Sequence, residues 1–470
     1  MTPLPASGLT PLWSADAIAG AVDGALQGEA FAVNGICIDS RDVAPGDLFI
    51  AMTGARDGHD FVAGALASGA AGALTTRDVG RPSIIVSDTQ AALVALAEAS
   101  RTRATKARRG AVTGSVGKTS VTQAVRAGLE LAGPGAHASV KSYNNHIGVP
   151  LTLARMPRDT RRAVFEIGMN HADEIAPLSL LVRPHVVAVT TVEAAHVENF
   201  ADGEAGVARA KAEIFAGVER GGLAVLNADN RWFDYLKGEA RRAGIKLRTF
   251  GADSRCDARL LGFSPAPGGA SVAARIDGRN VEYPLRHSAA HWGPMSLCVL
   301  LTLLALDVDL ETGMAALADF APLAGRGAER CVRGPAGAFT LIDESFNASP
   351  VAVRAAVTAL GLRRARGRRL VALTDMLELG DAAPGLHAGL FEAIAAAKID
   401  RVFCAGPLMR NLWDVLPEHQ RGAWARDAES LAQDLNGAVA EGDVVMVKGS
   451  KSSLASKLVE SLVALAGKDA

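Results

Sequence analysis

Short apolar runs recur along the chain, and from about residue 110 they alternate with amphipathic segments. Runs of four or five apolar residues are typical of strands buried on both faces, as in a parallel sheet. The strands predicted in this way are 48–52, 163–167, 186–190, 223–227, 339–343, 370–373, 401–404 and 444–447. Strands that alternate with helices, such as those predicted at 121–131 and 350–362, indicate an α/β fold with mainly parallel sheets.

Changes in this pattern divide the chain into three predicted domains, as its 470 residues allow at roughly 100–200 residues per domain. Residues 1–107 form a small α/β N-terminal domain, and the basic stretch 101–109 is predicted as a helix end or linker. Residues 108–325 form a central domain with a parallel sheet, to which the Gly-rich stretch 268–283 adds antiparallel strands. Residues 326–470 form a Rossmann-like, doubly wound α/β domain.

Composition narrows the class of protein. A net charge of -1 gives no general attraction to nucleic acid or to an anionic membrane, so we expect neither partner. The most apolar stretch, 297–306, is too short for a bilayer span of about 20 residues and predicts a buried helix. Residues 1–13 lack the pattern of a signal peptide. The cysteines, Cys37, Cys256, Cys298, Cys331 and Cys404, form no CxxC pair and are predicted as buried free thiols of a cytoplasmic protein.

A Gly-x-x-Gly-Lys-Thr segment follows a short apolar strand and opens a helix, which predicts a phosphate-binding loop. The residues predicted to bind ATP here are Thr113, Gly114, Ser115, Val116, Gly117, Lys118 and Thr119. Lys118 is expected at the β- and γ-phosphates and the Thr119 hydroxyl on Mg²⁺. The strict eight-residue pattern fails because Val112 stands where its first Gly belongs. The sequence has no Asn-Lys-x-Asp motif, which argues against a GTPase.

Other polar segments follow the loop in an order that resembles the Mur ligase family over nearly the whole chain. In this sequence they are Asp39-Ser40-Arg41, the stretch Asn144-Asn145-His146-Ile147-Gly148-Val149-Pro150, Glu166, His196, Lys211, Gly325-Arg326-Gly327, Asp343 to Pro350, Asp375 to Gly380 and Lys448-Gly449-Ser450. The missing first Gly of the phosphate loop is also typical of this family.

The resemblance implies a role for each of these residues. Ser40 and Arg41 would hold a UDP-sugar, and Asn144 and Asn145 would lie at the acyl donor and the γ-phosphate. Metal ligands would be Thr119, Glu166, His196 and Lys211, the last as a carbamate; from residue type alone, Glu166 is more often solvated and His196 is an uncommon Mg²⁺ ligand. The predicted catalytic residues are Lys118, Glu166, His196, Lys211 and Arg326. Asp343 would hold the ATP ribose and Asn347 would lie beside the base.

The resemblance implies an ATP- and Mg²⁺-dependent, monomeric ligase of peptidoglycan precursor synthesis. It would add D-alanyl-D-alanine to UDP-N-acetylmuramoyl-tripeptide through an acyl phosphate. Alternatives are a relative that adds the third peptide residue, although its Asp-Asn-Pro-Arg motif is absent from the sequence, and a P-loop regulatory ATPase. The sequence identifies no general base for the amine and does not distinguish diaminopimelate from lysine in the tripeptide.

Two features concern the nucleotide in particular. The family usually has Asn where this chain has Trp292 or Met295, so the expected amide contact with adenine is missing. The implied domain closure would bring Arg326 to the phosphates, and in an open arrangement Arg326 and Asp343 would lie far from Lys118.

Overall fold

The computed structural model describes residues 10–54, 56–79, 82–194, 197–266 and 268–467. Four sheets account for the strands of this part of the chain, and three of them are large and mainly parallel. The predicted α/β class is therefore confirmed. Among the described residues, no helix has the length and apolar character needed to cross a membrane.

The N-terminal part contains a five-stranded sheet in the order β2-β7-β6-β5-β4 and a small antiparallel pair, β1-β3. Its elements are β1 (Trp13–Ser14), α1 (Ala15–Val22), β2 (Ala25–Gln27), β3 (Ala32–Val33), β4 (Gly35–Cys37), β5 (Asp47–Ile50), α2 (Val62–Ala67), β6 (Gly72–Thr75), β7 (Ser83–Ile85) and α3 (Thr89–Arg103). Helix α3 begins after Asp88, whose carboxylate accepts the N–H groups of Gln90 and Ala91.

The central part is a nine-stranded sheet in the order β16-β15-β14-β13-β12-β11-β8-β10-β9. Its strands are β8 (Arg108–Thr113), β9 (Ala136–Ala138), β10 (Arg162–Glu166), β11 (Val186–Val189), β12 (Leu223–Asn227), β13 (Lys246–Gly251), β14 (Ala258–Ala266), β15 (Gly269–Ile276) and β16 (Arg279–Leu285). Its helices are α4 (Lys118–Leu131), α5 (Gly148–Ala154), α6 (Ile175–Val182), α7 (Glu204–Ala212), α8 (Phe233–Arg242), α9 (Trp292–Ala305) and α10 (Leu310–Asp319). Strands β15 and β16 are the predicted antiparallel addition.

The third part is a six-stranded sheet in the order β17-β18-β22-β19-β20-β21, parallel except for the edge strand β17. Its elements are β17 (Ala328–Gly334), β18 (Gly337–Glu344), α11 (Pro350–Leu362), β19 (Arg369–Thr374), α12 (Ala383–Ala388), α13 (Leu390–Ala396), β20 (Arg401–Ala405), α14 (Arg410–Val415), β21 (Arg421–Ala425), α15 (Ala428–Ala438), β22 (Val444–Lys448) and α16 (Ala455–Val463). Ser349 caps α11 and Pro350 follows at its first position, so this helix begins where the sequence predicts.

Some predicted boundaries differ from the structure. Helix α4 begins at Lys118 rather than at residue 121, because Gly117 adopts a positive φ of 84° and ends the loop there. The basic stretch 101–109 is not a linker throughout, since Arg108 and Arg109 lie in β8. Burial of Arg109 is possible because its guanidinium donates to the carbonyls of Ala107 and Val182.

All five cysteines are free thiols, as predicted, but only three of them are buried. Cys37, Cys298 and Cys404 are buried, whereas Cys256 is partly exposed and Cys331 is exposed. Cys331 lies on the edge strand β17, where successive side chains face opposite sides of the strand.

The hydrophobic core of the N-terminal part continues into one face of the central sheet. Trp13 belongs to the same cluster as Phe165, and the Trp13 indole N–H donates to the carbonyl of Ala154 in α5. The Arg103 guanidinium lies 3.3 Å from the centre of the Trp13 ring. The Trp13 hydrogen bond therefore joins the β1-β3 pair to α5, the helix that follows the Asn144 loop.

Removal of the Phe165 side chain tests the importance of this core. Phe165 is fully buried in β10, so Phe165→Ala leaves a cavity that costs about 3–5 kcal/mol. We expect the melting temperature to fall by on the order of 10 °C in thermal unfolding. The matched control is Leu131→Ala, whose side chain is 55% exposed and which should change stability by less than about 0.5 kcal/mol. Equal shifts for both variants would contradict the assignment of the core.

Candidate active site

The phosphate loop joins β8 to α4 and depends on two glycines. Gly114 has a φ of 148°, and a Cβ there would lie 2.0 Å from the Thr190 hydroxyl. Gly117 has a φ of 84°, and a Cβ there would lie 2.4 Å from the Met295 methyl group. No side chain fits at either position, so the loop backbone can approach a phosphate closely at the N-terminus of α4.

A cavity of about 660 Å³ lies over this loop and extends to the third part of the chain. Ten of the predicted site residues line it: Ser115, Val116, Gly117, Lys118, Thr119, Asn144, Asn145, Glu166, Arg326 and Asn347. Its position agrees with the rule that ligands of α/β folds bind at the carboxyl ends of parallel strands. Its volume is in the range of small-molecule sites.

A directed series of hydrogen bonds crosses the cavity floor. Arg326 donates to the Thr119 hydroxyl at 2.9 Å, and the Thr119 and Ser142 hydroxyl oxygens lie 2.8 Å apart. Ser142 donates to Glu166 Oε1 at 3.0 Å, so its oxygen accepts from Thr119. Asn144 donates to the same carboxylate oxygen at 2.8 Å. The side chain of Arg326, 207 positions after Thr119, thus belongs to the phosphate site.

The cations of the site are held by groups of the chain itself. Lys118 Nζ donates to the Gly114 carbonyl at 2.6 Å, and Arg326 lies 3.7 Å from the centre of the Phe346 ring. Burial lowers the pKa of Lys118, Glu166 opposes that shift, and Arg326 adds to it. Burial likewise lowers the pKa of Arg326. Two poorly hydrated cations next to a helix N-terminus favour an anionic ligand.

Glu166 is suited to hold a divalent cation. Its carboxylate is fully buried, and Oε2 has no hydrogen-bond partner among the described residues. A buried carboxylate oxygen without a partner is costly, and Mg²⁺ prefers such oxygens together with hydroxyls and retained water. Among the described residues, no group of three or more His, Cys, Asp or Glu side chains could hold a metal ion by itself. Thr119 and Glu166, which Ser142 links, would hold one together with phosphate and water.

Lys211 is buried in α7, with only 1% of its surface exposed, and does not line the cavity. Burial lowers its pKa well below the usual value, and the positive charge of Lys118 adds to this shift. A neutral buried amine is the form that can capture CO₂. His196, predicted as a metal ligand, lies outside the described residues.

Two residues of the third part, Asn347 and Asp343, were predicted to bind the nucleotide, and only one of them lines the cavity. Asn347 lines the cavity, whereas Asp343 is buried behind it. The Asp343 carboxylate accepts N–H groups of Gly325 and Ser345, and so holds the loop that carries Arg326. Thr113 and Gly114 also lie behind the lining, where the Thr113 carbonyl accepts the Thr190 N–H.

Ser40 and Arg41 lie outside the cavity, on the loop between β4 and β5. Asp39 binds the Arg41 guanidinium through both carboxylate oxygens, which lowers the pKa of Asp39. The next residue, Asp42, forms an ion pair with Lys141 at 2.8 Å. Because Lys141 precedes Ser142 and Asn144 on their loop, this pair connects the predicted UDP-sugar segment to the cavity.

Among the cavity residues to which the sequence analysis assigned no role are Ser142, Glu193 and Phe346. Ser142 was identifiable in principle, because a hydroxyl two residues before Asn144 lies on the same loop. Glu193 follows β11, and its backbone N–H donates to the Ser115 hydroxyl. The contact of Phe346 with Arg326 joins distant segments and has no local signal in the sequence.

Substitution of Lys211 tests its charge state. A lowered pKa means that the unfolded chain binds the proton more tightly, so stability rises as pH increases from the folded-state pKa to the usual value near 10.5. In CO₂-free buffer at neutral pH we expect Lys211→Met to raise the free energy of unfolding by at least about 1 kcal/mol, because the substitution removes a buried amine. The variant should therefore melt at a higher temperature than the original chain. The difference should shrink as the pH rises. Lower stability of the variant at every pH would show that the amine has a stabilising partner.

Comparison with known proteins gives matches over most of the chain. Models described as the Mur ligase family catalytic domain, the Mur ligase middle domain, and the Mur ligase glutamate ligase domain match residues 32–109, 112–292 and 330–451, respectively. The UDP-N-acetylmuramoyl-tripeptide--D-alanyl-D-alanine ligase of Escherichia coli (strain K12) is 33% identical over 456 residues, 94% of this chain and 96% of that protein. The ligase of the same name from Rickettsia prowazekii is 29% identical over 437 residues, 91% of this chain and 94% of that protein.

Solved structures give the same result for the fold. A crystal structure of MurF from Acinetobacter baumannii has a TM-score of 0.83 at 25% identity, covering 97% of this chain and 100% of that one. The MurF ligase from Thermotoga maritima in complex with ADP has a TM-score of 0.74 at 24% identity, covering 93% and 98%. Given these matches and the relative that is 33% identical over nearly its full length, the chain belongs to the Mur ligase family.

Proposed function

We propose that the chain is an ATP-dependent ligase that joins the terminal carboxylate of UDP-N-acetylmuramoyl-tripeptide to the amino group of D-alanyl-D-alanine. The observation that carries the proposal is the series from Arg326 through Thr119 and Ser142 to Glu166, which unites a phosphate loop, a buried carboxylate and a distant cation. The E. coli relative of that name supports the choice of substrates. The site is built from one chain, so the proposal needs only a monomer, and its use of ATP fits the cytoplasm.

The ATP phosphates would lie on the backbone of Ser115 to Thr119, with Lys118 turned from its loop carbonyls toward the β- and γ-phosphates. Asn347 would lie beside the base, and Asp343 would act by holding the Arg326 loop. Thr119 and Glu166 would hold Mg²⁺, which would neutralise charge on the phosphates. His196 stays a predicted ligand of the metal region.

The chemistry has two steps. The tripeptide carboxylate attacks the γ-phosphorus and ADP leaves, which gives an acyl phosphate. The amine of the dipeptide then attacks the acyl carbon, and phosphate leaves as the amide forms. Lys118 and Arg326 would stabilise the transferring phosphoryl group, because both are poorly hydrated cations that line the cavity. Asn144, next to Glu166, is placed to orient the carboxylate.

We extend the proposal to Lys211 and to the UDP-sugar. A carbamate on Lys211 would convert the neutral buried amine into an anion, and the positive charge of Lys118, which opposes protonation of the amine, would stabilise that anion. Ser40 and Arg41 would hold the UDP-sugar, and the Asp42–Lys141 pair would keep that segment beside Asn144 and Asn145. This arrangement directs the peptide from the N-terminal sheet into the cavity.

The test is phosphate release from ATP in mixtures that lack one substrate. A ligase releases phosphate only when ATP, UDP-tripeptide and D-alanyl-D-alanine are all present, because the acyl phosphate turns over by amine attack. We expect Lys118→Ala to abolish this release. The exposed Arg330→Ala is the matched control and should keep it, since Arg330 lies outside the cavity. Release from ATP alone would instead favour a P-loop regulatory ATPase.

The identity of the product distinguishes related ligases. D-alanyl-D-alanine and a third-position amino acid, diaminopimelate or lysine, are offered together with both the UDP-dipeptide and the UDP-tripeptide. Mass spectrometry should find only the tripeptide extended by the D-alanyl-D-alanine unit. A dipeptide extended by one amino acid would identify the relative that adds the third residue.

A further inference from the structure

The cavity is also lined by two turns of the third sheet, which follow the neighbouring strands β22 and β19. The β22 turn, residues 449–453, contributes Lys451 and Ser452 to the lining, and the β19 turn, residues 375–380, contributes Leu377 and Leu379. Because neighbouring strands lie about 4.8 Å apart, the end of β19 lies about 10 Å from the end of β18, which carries the Asn347 loop. These turns therefore line an end of the cavity that is distinct from the proposed position of the base.

Hydrogen bonds join the two turns into one wall. The Ser450 N–H donates to the Asp375 carbonyl at 3.2 Å, and the Ser450 hydroxyl accepts the Leu377 N–H at 3.0 Å. The Asp375 carboxylate accepts the Met409 N–H at 2.8 Å, which fixes the β19 turn to the segment after β20. Lys451 follows Ser450 directly, so the position of its backbone is fixed before a ligand binds. A preorganised wall of this kind lowers the entropic cost of binding.

The wall of turns lies against the central part of the chain. A Cβ on Gly380 would lie 3.5 Å from the Glu198 Cβ. The next residue, Asn199, donates its amide N–H to the Asn170 carbonyl at 3.1 Å. Asn170 and Glu174 line the cavity at this place. This end of the cavity is therefore bounded by the central part on one side and by the wall of turns on the other.

Charged side chains of both signs line this end. Glu174, Glu378 and Lys451 are exposed and belong to the lining. Glu174 acts on the buried amine of Lys211, since burial lowers the pKa of that amine and the Glu174 charge opposes the shift. Two carboxylates and one ammonium group are complementary to a zwitterion, such as a free dipeptide near neutral pH.

The chemistry of the proposed ligation gives the dipeptide a direction. Its amine must reach the acyl carbon, which is placed beside Asn144 and Glu166 in the central part. Two extended residues span about 7 Å, so the terminal carboxylate lies away from the acyl carbon. The group that holds this carboxylate is therefore expected on the opposite side of the cavity, where the wall of turns lies.

Four lysines and arginines line the cavity in the described part of the chain: Lys118, Arg326, Lys448 and Lys451. The first two belong to the phosphate site. Lys448 is buried, and its ammonium group is directed at Glu344 and at the Asn347 carbonyl, both at 3.1 Å. Lys451 is exposed on the wall of turns, so its ammonium group can reach a carboxylate at this end of the cavity without leaving a buried ion pair.

We propose that Lys451 binds the terminal carboxylate of the incoming dipeptide and so selects an amine substrate that ends in a free carboxylate. Ser452 is exposed beside it, and its hydroxyl can donate to the same carboxylate. Leu377 and Leu379 provide apolar surface for the two methyl side chains. This inference rests on the proposed ligase function and gives Lys451 a part in specificity, not in the chemical steps.

The test compares D-alanyl-D-alanine with its C-terminal amide, in which a neutral carboxamide replaces the carboxylate. The value of kcat/KM for each is measured by phosphate release with the full chain at saturating ATP and UDP-tripeptide. We expect the unmodified chain to prefer the free dipeptide by at least about tenfold, the effect of one hydrogen bond to a charged group. Equal kcat/KM values for the two substrates would overturn the proposal.

Variants of Lys451 locate this preference. Lys451→Met should lower kcat/KM for the free dipeptide by at least about tenfold through a higher KM, and should change the value for the amide by less than about threefold. Lys451→Arg keeps the positive charge and should retain the preference. Lys457→Met is the matched control, because Lys457 is exposed on α16 outside the cavity, and it should leave both values unchanged.

Two results with Lys451→Met would contradict the proposal. An equal loss with both substrates would mean that the substitution disturbs the wall of turns itself. A preference for the free dipeptide that persists would assign the carboxylate to another cation, such as Lys448. Lys451→Gln, which is polar but uncharged, gives the same comparison if the Met variant does not fold.

The failure of this inference is distinguishable from the failure of the ligase function. If neither the dipeptide nor its amide supports phosphate release that depends on UDP-tripeptide, the ligase function itself is wrong. If both support such release equally well, the ligase function stands and only the role of Lys451 is wrong.

Discussion

The active site depends on one hydrogen bond, from the Arg326 guanidinium to the Thr119 hydroxyl. It joins the loop before the third sheet to the first turn of α4. Because a hydroxyl that accepts one bond can donate another, the same contact orients Thr119 toward Ser142, and Ser142 toward Glu166. The position of a carboxylate in the central sheet is thus coupled to the position of the third part of the chain.

Buried charge constrains the rest of the site. Glu166 is fully buried and one of its oxygens has no hydrogen-bond partner among the described residues. Lys211 is also buried, and Lys118 donates to a carbonyl of its own loop. Such an arrangement is costly for folding, because each charge loses its hydration without a full replacement. It is favourable for a ligand that brings phosphate oxygens, a divalent cation or CO₂. The cost of folding these groups is offset when the ligands bind.

The local features of this site follow from the sequence. The phosphate loop at Gly114 to Thr119, the strand that ends at Glu166 and the Asn144 loop are continuous segments with their own patterns, and the structure brings them into one cavity. Apolar runs predicted strands in each of the three large sheets, among them β5, β10 to β12, β18 to β20 and β22. Other strands were not predicted, for example β6, β7 and β13. The edge strand β17 was also not predicted, since only one side chain of its seven residues is buried.

Contacts between distant segments are not visible in the sequence. Asp343 is directed at the backbone of Gly325 and Ser345 rather than into the cavity, which depends on how the loop folds back. The stacking of Phe346 on Arg326 likewise requires the pairing of β17 with β18, which brings the loop before β17 to the end of β18.

The central claim is that the tripeptide carboxylate is activated by phosphoryl transfer at the site formed by Lys118, Arg326 and Glu166. The most direct measurement uses UDP-tripeptide with ¹⁸O in its terminal carboxylate and analyses the released phosphate by mass spectrometry. The account predicts one ¹⁸O in each phosphate from a carboxylate with both oxygens labelled, because the attacking oxygen stays on phosphorus when the amine displaces it. Unlabelled phosphate, released at the rate of amide formation, would show that the carboxylate never bonded to phosphorus and would contradict the account.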